Sequence, residues 1–440
     1  MGVLTRVVAA IAIAAVAVAA QAQTFIRDAE IERTLARMTG PVYEAAGIDP
    51  DSVRMFVMLD SRLNAFVTGR NIVLNTGLLQ RFDRPEAVIG VIAHEVGHIT
   101  GGHLARREIA LRGAGPMQLG VLLAAAAAAA AGAPDVGMAA ALGGTSAMQR
   151  AFLAFSRAEE AAADQAGVTY MTRAGFDPDG MLDVLRLFRG QEVFASSRID
   201  PYAQTHPLSA ERIALLERAV AESPARGRPA EPELVYWFER MRAKLDGFIN
   251  RPEQTLARLR GAADADSEFN LYRRAIAEHR MADVAGALAT LDRLQRMRPN
   301  DPYYYALRGQ VLFENARPAE AVAPFRRALA LAPDEPLIAG QLGRALVASG
   351  DPALEREALG VLERAARDDP GEPGVLRDLA AAHARAGDTG MAALVTAERM
   401  ALSGDFEGAA RQARSALGHL PAGSPAARRA EDIVDLAPTR

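Results

Sequence analysis

Apolar positions follow one pattern in the first half of the chain and another in the second. Up to about residue 250, segments with helical spacing of apolar residues alternate with short runs of β-branched and large apolar residues, which are typical of strands. From about Pro252 onward only the helical spacing is found. The pattern predicts a mostly helical α+β domain with a small sheet over residues 23–250, followed by an all-α domain over residues 255–440.

The first domain is organised around one apolar helix. This helix runs from Arg84 to about Ile99, and its many apolar residues place it in the core. Asp83 can cap its start, with Glu86 three residues later as in a capping box. An earlier helix covers Thr24 to Ala46 and is interrupted at Gly40-Pro41. Three strands are predicted between the two helices, at Val53–Leu59, Asn64–Val67 and Ile72–Leu74.

The second domain contains a sequence repeat. Pro299, Pro333 and Pro370 are separated by 34 and 37 residues, and the longer interval contains a three-residue insertion around Asp351 to Leu354. A period of 34 residues is that of the tetratricopeptide repeat, whose helix pairs stack into a solenoid with a concave surface for peptides or partner proteins. An ordinary helical bundle is the alternative, and it does not explain the period.

The N-terminus has the form of an export signal. Arg6 precedes an unbroken apolar run of 14 residues, Val7 to Ala20, and Ala20-Gln21-Ala22 fits a small-x-small cleavage site. A membrane-spanning helix needs about 20 apolar residues, so this run is short for an uncleaved anchor, which is the alternative. We therefore expect residues 1–22 to be a signal peptide and the mature protein to lie in a bacterial periplasm.

Composition excludes several kinds of site. The chain has no cysteine, which rules out a cysteine zinc site, an iron–sulfur cluster, a thiol nucleophile and disulfides. The net charge of −4 gives no case for nucleic-acid binding. Of the 50 basic residues only Lys244 is a lysine, which indicates the coding bias of a GC-rich genome rather than phosphate sites. Any metal must therefore be held by histidines and carboxylates.

The core helix carries the motif His94-Glu95-Val96-Gly97-His98. Residues four apart share one face of a helix, so the two imidazoles can point at one metal ion. Glu95 lies beside them, where its carboxylate can take a proton from a water activated by the metal. Two histidines on a solvated helix face are the alternative, and the apolar surroundings argue against it.

A second predicted helix, Ser156 to Met171, supplies the expected third ligand. It carries Glu159, Glu160 and Asp164. Glu160 and Asp164 are four residues apart and share a face, whereas Glu159 points elsewhere. One carboxylate on the metal, with a second one behind a ligand histidine, would fix the orientation of the imidazole. An acidic face in water is the alternative for this helix taken alone.

These two motifs resemble the zinc peptidase family that includes HtpX and the CAAX prenyl proteases. That family pairs a His-Glu-x-x-His helix with a Ser-Arg-x-x-Glu-x-x-Ala-Asp helix, and this chain also matches it at Asn64-Ala65-Phe66 and Asn75–Leu79. The resemblance extends from about Asp28 to Leu245 and implies a zincin-type metallopeptidase domain. Its small sheet has an edge strand that can pair with an extended substrate, unless Phe66 and its neighbours only fill the core.

The resemblance also assigns residues to roles. It implies one Zn²⁺ per chain, held by His94, His98 and Glu160. Glu95 falls at the position of the family's general base. Asp164 falls on the aspartate of the second motif, a catalytic proton donor or a partner behind a ligand.

Three further residues are candidates near this site. His103 lies off the shared helix face, so we expect it to have a structural or helix-terminal role. His206 stands in a Thr-His-Pro loop, where a lone histidine is usually structural. In periplasmic family members with a repeat domain, however, the corresponding histidine approaches the zinc as a fourth ligand and keeps the enzyme latent. Arg212 is a candidate for stabilising transition-state charge.

The order of export signal, peptidase and repeats resembles those periplasmic members. It implies a protease, and a chaperone, for stalled or unfolded outer-membrane proteins, with the repeats docked on the barrel-assembly machinery. The alternative is a scaffold in which the repeats carry the function and the protease is latent.

The Gly- and Ala-rich segment Gly113–Gly144 is expected to be a lid or plug, a peripheral contact with the outer membrane, or a buried helix.

Overall fold

The computed structural model describes residues 25–103, 105–106, 157–188, 206 and 209–436. These divide into two compact units: one holds the residues up to Arg242 except Asp28–Ile31, and the other holds Asp28–Ile31 with the residues from Ala243 onward. The predicted domain ranges, 23–250 and 255–440, stay predictions. The predicted signal peptide and the segment Gly113–Gly144 lie outside the described residues.

The first part of the chain combines a small sheet with helices. Its strands are β1 (Phe25–Ile26), β2 (Arg54–Met58), β3 (Ala65–Thr68) and β4 (Asn71–Asn75). Its helices are α1 (Ala29–Ala46), α2 (Thr76–Arg81), α3 (Pro85–Thr100), α4 (residues 157–174 of the described chain), α5 (Asp179–Phe188), α6 (Ala210–Glu222) and α7 (Pro232–Ile249).

The sheet has the strand order β1-β2-β4-β3. β4 pairs with β2 in parallel and with β3 in antiparallel orientation, which places Ala65 opposite Leu74. The run Ile72–Leu74 is buried, as expected for an internal strand covered on both faces. Among the described strands β3 lies at an edge, so one side of its backbone has no strand partner there.

Three details of the predicted helices are wrong. The first helix is predicted from Thr24 but begins at Ala29, because Phe25–Ile26 form strand β1 and pair with β2. α1 continues through Pro41, because Met38 and Val42 on either side of it are fully buried and their packing outweighs the lost backbone hydrogen bond. α3 begins at Pro85 after Arg84, without a side-chain cap, whereas the carboxylate of Asp83 accepts a hydrogen bond from Arg242. Proline at the first helical position defines this start without a capping side chain.

The remaining described chain is entirely helical. Consecutive helices pack against each other in pairs along the sequence. They are α8 (Pro252–Arg260), α9 (Glu268–Arg280), α10 (Val284–Met297), α11 (Pro302–Glu314), α12 (Pro318–Leu331), α13 (Pro336–Ser349), α14 (Glu355–Asp368), α15 (Pro373–Arg385), α16 (Thr389–Leu402), α17 (Phe406–Leu417) and α18 (Pro425–Asp435).

Repeated contacts confirm the predicted tetratricopeptide solenoid. In one helix pair a Cβ at Gly309 would meet the ring of Phe325, and in the next pair a Cβ at Gly343 would meet the side chain of Leu362. The predicted insertion is a short 3-10 turn, Pro352–Leu354, placed between the two helices of the second pair. The prediction of a mostly helical α+β part with a small sheet, followed by all-α repeats, is therefore confirmed.

Candidate metal centre

α3 carries the first motif at the C-terminal end of its buried length. Its residues from Pro85 to His98 are all buried. Gly97, between the two histidines of the motif, faces α4 so closely that a Cβ there would lie 2.8 Å from the carbonyl oxygen of Ala163. Glycine at this position therefore lets α4 approach, which brings Glu160 next to His94 and His98.

The donor atoms of four side chains converge where α3 and α4 meet. Nε2 of His94 is 3.1 Å from Nε2 of His98 and 3.3 Å from Oε2 of Glu160. Oε1 of Glu160 lies 3.4 Å from Nε2 of His98. Nδ1 of His206 joins them, 3.2 Å from Nε2 of His94 and 3.0 Å from Oε2 of Glu160. All four side chains are buried.

This donor set fits a zinc ion. Ligand atoms about 2.0–2.2 Å from a tetrahedral zinc ion lie roughly 3.3–3.5 Å from each other, close to the separations of the donors here. Three imidazoles and one carboxylate are also the nitrogen and oxygen ligands that zinc takes in proteins. Buried donors that face one another at such distances are compatible with one zinc ion, and the prediction of one Zn²⁺ is confirmed at that level.

Asp164 lies behind one of the predicted ligands. Its Oδ1 accepts a hydrogen bond of 2.9 Å from Nδ1 of His94, on the ring edge opposite the donor set. Arg212 holds the same carboxylate from the other side, donating from Nε to Oδ2 at 2.6 Å and from Nη2 to Oδ1 at 2.9 Å. Nη1 of Arg212 is also 3.1 Å from Oε2 of Glu160. The guanidinium therefore bridges Asp164 and Glu160.

Glu95 and His206 face each other across the site. Glu95 is 1% exposed, and its Oε1 lies 3.3 Å from Nε2 of His206. The same nitrogen is 3.4 Å from the carbonyl oxygen of Ala65, at the start of the edge strand β3. The side chain of His206 thus contacts the other donors through Nδ1, and the predicted general base and the sheet edge through Nε2.

Asp164 and Glu160 stay ionised despite their burial. Burial by itself would raise the pKa of Asp164, but Arg212 and then His94 lower it to about 2. Burial likewise opposes the ionisation of Glu160, and hydrogen bonds from the surrounding histidines shift its pKa well below the usual range. Both groups are therefore negative at neutral pH.

The ligand histidines and Glu95 respond differently to burial. Burial lowers the pKa of His98 to about 3. For His94 burial is outweighed by Asp164 and Glu160, which raise the pKa to about 9. Burial raises the pKa of Glu95, since a carboxylate in an apolar helix loses its solvation. A raised pKa brings a carboxyl group closer to what a general base at neutral pH requires.

The structure brings together all the predicted site residues and adds contacts that sequence reasoning missed. Arg212, predicted to stabilise transition-state charge, is 4% exposed and pairs with the carboxylates of α4. His103, predicted to be structural or helix-terminal, is 3% exposed and contacts His98. The only sequence signal for the contact between His103 and His98 was the glycine pair that precedes His103.

The small sheet beside a His-Glu-x-x-His helix, with a carboxylate donor from a second helix, defines a metallopeptidase. Residues 26–220 match the family model described as Peptidase family M48, so this part of the chain is similar to that peptidase family.

Curated relatives align with most of the chain. The Beta-barrel assembly-enhancing protease of Yersinia pestis is 27% identical over 357 residues, which are 79% of this chain and 71% of that protein. The protein of the same name from Escherichia coli (strain K12) is 26% identical over 392 residues, 86% of this chain and 77% of that one. Their coverage extends beyond the peptidase domain into the repeats.

A solved structure resembles the repeats. "Crystal structure of YrrB: a TPR protein with an unusual peptide-binding site" covers 40% of this chain and 91% of its own, with 18% identity and a TM-score of 0.33. The repeat assignment itself rests on the helix pairs and their spacing. Among the helices that the structure describes, none is long and apolar enough to cross a membrane.

Proposed function

We propose that this chain is a periplasmic zinc metalloendopeptidase, and a chaperone, in the assembly and quality control of outer-membrane β-barrel proteins. The observation that carries the peptidase assignment is the convergence of His94, His98 and Glu160 with Glu95 beside them. The biological role is supported by the names of the relatives from Yersinia pestis and Escherichia coli, which align along both the peptidase and the repeats.

In this proposal each site residue has a distinct task. His94, His98 and Glu160 would hold a zinc ion, which supplies a Lewis acid that activates water and polarises the scissile carbonyl. Glu95 accepts a proton from the attacking water and returns it to the leaving amine. Asp164 is a positioning residue, because both of its oxygens are engaged by His94 and Arg212 and neither is directed at a substrate.

The substrate is proposed to bind as an extended chain along β3. An edge strand offers backbone hydrogen-bond donors and acceptors to a peptide, which would then lie across the end of α3. Ala65, the first residue of β3, has its carbonyl oxygen 3.4 Å from the ring of His206, so strand and site are adjacent. This arrangement would accept unfolded segments and exclude folded ones.

His206 is proposed to keep the resting enzyme latent. Its Nδ1 takes a place in the donor set, and its Nε2 contacts both Glu95 and Ala65. A zinc ion with four protein ligands has the closed coordination of a structural site, which leaves no position for water. Displacement of His206 would open that position, the general base and the strand edge together.

The repeats are proposed to bind the barrel-assembly machinery or its clients. Stacked helix pairs present an extended concave surface, which suits peptides and partner proteins.

The contacts of His206 also favour a second function, in which the repeats act as a chaperone or scaffold and the protease is normally closed.

Cleavage of an unfolded protein tests the peptidase. We expect the purified full chain, or its His206→Ala variant if the parent is latent, to cut casein. Glu95→Gln in the active background should lower the rate about 10²–10⁴-fold, because the general base is lost while His94, His98 and Glu160 remain. Zinc content measured in the same samples should be unchanged, and exposed Glu44→Gln serves as the matched control.

Three outcomes separate the alternatives. Activity in His206→Ala but not in the parent supports the latent enzyme. Zinc binding without cleavage in either protein favours the scaffold. Absence of both zinc and cleavage contradicts the metallopeptidase proposal.

A further inference from the structure

His103 lies outside the donor set but contacts one of its members. Nδ1 of His103 is 2.8 Å from Nδ1 of His98, a short hydrogen bond between two ring nitrogens. The two rings are nearly perpendicular, with centroids 4.9 Å apart and an interplanar angle of 80°. His98 therefore faces the other donors with Nε2 and faces His103 with Nδ1.

The chemistry of imidazole determines which nitrogen of this pair donates. If Nε2 of His98 gives its lone pair to a metal ion, the ring hydrogen of His98 must be on Nδ1. That N–H needs an acceptor, and the atom at 2.8 Å is Nδ1 of His103. An imidazole nitrogen accepts only through a lone pair, so the hydrogen of His103 must be on its Nε2.

We infer that His103 is a positioning residue of the metal centre, which accepts a hydrogen bond from His98 and so holds the ring and the tautomer of that ligand. The inference rests on the proposed zinc site. It departs from the structural or helix-terminal role expected from the sequence, because His103 acts on the metal through His98.

The two ligand histidines of α3 are then supported in different ways. His94 donates to a carboxylate, Asp164, which Arg212 holds in place. His98 donates to a neutral imidazole, which carries no charge and accepts at one atom only. Support of a ligand histidine through its second nitrogen is what fixes ring orientation at zinc sites in general.

The glycine pair before His103 explains how the ring reaches this place. α3 ends at Thr100, and Gly102 has φ +63, a left-handed conformation that turns the chain after the helix. The imidazole of His103 lies so close to Gly101 that a Cβ at Gly101 would clash with it. Both glycines are thus required for His103 to return onto His98.

Zinc affinity of the full chain tests the inference. We expect His103→Leu, which fills the space but cannot accept a hydrogen bond, to bind zinc about 10- to 100-fold more weakly in competition with a chromophoric chelator. His103→Asn, whose amide oxygen can stand near the position of Nδ1, should recover most of the affinity. In Co²⁺-loaded samples the leucine variant should also change the visible ligand-field spectrum, because the geometry of His98 is altered.

A second variant moves the ring without removing it. Gly101→Ala keeps His103 but displaces its imidazole, so we expect zinc affinity to fall here as well. Gly40→Ala is the matched control, since a Cβ there meets no atom within 4 Å. Thermal unfolding of the metal-free proteins is measured in parallel, and the loss of affinity should exceed any change in unfolding temperature seen without metal.

The outcomes distinguish this inference from the proposed function. A parent chain that binds no zinc overturns both. A parent that binds one zinc ion, with His103→Leu binding equally well, overturns the inference alone. If the leucine variant does not fold, the zinc affinities of His103→Asn and Gly101→Ala decide. The role is contradicted if His103→Asn binds zinc about 10- to 100-fold more weakly than the parent, the loss expected without an acceptor. It is also contradicted if Gly101→Ala binds zinc as tightly as the parent.

Discussion

Single residues of the metal centre carry charges that their neighbours set. His94 donates to Asp164 and lies 3.3 Å from Glu160, and these two carboxylates raise its pKa to about 9 in spite of its burial. A histidine can give its lone pair to a metal only when that nitrogen carries no proton. Protons and zinc therefore compete for His94 at neutral pH.

We expect zinc binding at pH 7 to release about one proton from His94, because a group with a pKa of about 9 is protonated at that pH before the metal binds. The apparent zinc affinity should rise as the pH is raised from 7 and level off above about 9. Calorimetry in two buffers of different ionisation enthalpy counts the released protons. A count near zero at pH 7, or an affinity that does not change with pH, would show that Asp164 and Glu160 do not hold this proton.

At the scale of elements, the turns between paired helices repeat as regularly as the helices. Ala282, Ala316, Gly350 and Gly387 each have a positive φ and follow one another at intervals of 34, 34 and 37 residues. They lie after the first helix of four successive pairs. The last interval contains the 3-10 turn Pro352–Leu354, so the backbone repeats the spacing of the prolines.

Ala316→Gly should stabilise the chain. Alanine at φ 58 costs about 1–2 kcal/mol, which exceeds the backbone entropy that glycine loses, so a net gain of about 0.5–1 kcal/mol is expected. Urea unfolding followed by circular dichroism measures it. Ala323→Gly, at an exposed position inside α12, is the matched control and should destabilise by about 1 kcal/mol. Equal losses at both positions would mean that the left-handed turn is not strained.

At the scale of the whole molecule, one ion cluster joins the beginning of the described chain to residues far along it. Lys244, the only lysine, is buried and donates to Asp28 at 2.8 Å across 216 positions of sequence. Its Nζ is also 3.1 Å from Glu30, which accepts a 2.5 Å hydrogen bond from Tyr272. These contacts explain why Asp28–Ile31 belong to the same compact unit as the residues after Ala243.

Lys244→Met should destabilise this unit by about 3–5 kcal/mol, because Glu30 would be left buried without its cation. Burial by itself lowers the pKa of Lys244, but Asp28 and Glu30 outweigh it and raise the pKa above 10.5. The stabilisation is therefore present below pH 10.5 and is lost as the pH rises through the folded-state pKa.

Urea unfolding of parent and variant at pH 7 and above pH 10.5 measures both effects. The difference between the two proteins should shrink at the higher pH. Arg364→Met, at an exposed position of α14, is the control and should stay within about 0.5 kcal/mol of the parent. A variant as stable as the parent at pH 7 would show that the cluster contributes nothing.

The sequence by itself determined the features that depend on local periodicity. Spacing of four residues placed His94 and His98 on one helix face. The 34-residue period predicted the helix pairs and the position of the insertion, which the structure shows to be the 3-10 turn Pro352–Leu354. The motif on α4 selected Glu160 by the same helical geometry. Such features depend on residues that are close in the chain, so they can be predicted without the tertiary structure.

Only the tertiary structure decided which distant side chains meet. Arg212 lies between Glu160 and Asp164, and Lys244 lies on Asp28, at separations in sequence that follow no period. His103 is close to His98 in sequence, but the turn after α3 rather than helical spacing brings the two rings together. Because these partners are buried together, they shift each other's pKa. The carboxylates raise the pKa of His94, and Arg212 lowers the pKa of Asp164. Interactions in a low-dielectric core are strong because water does not screen them, and the identity of the partner is known only when the chain is folded.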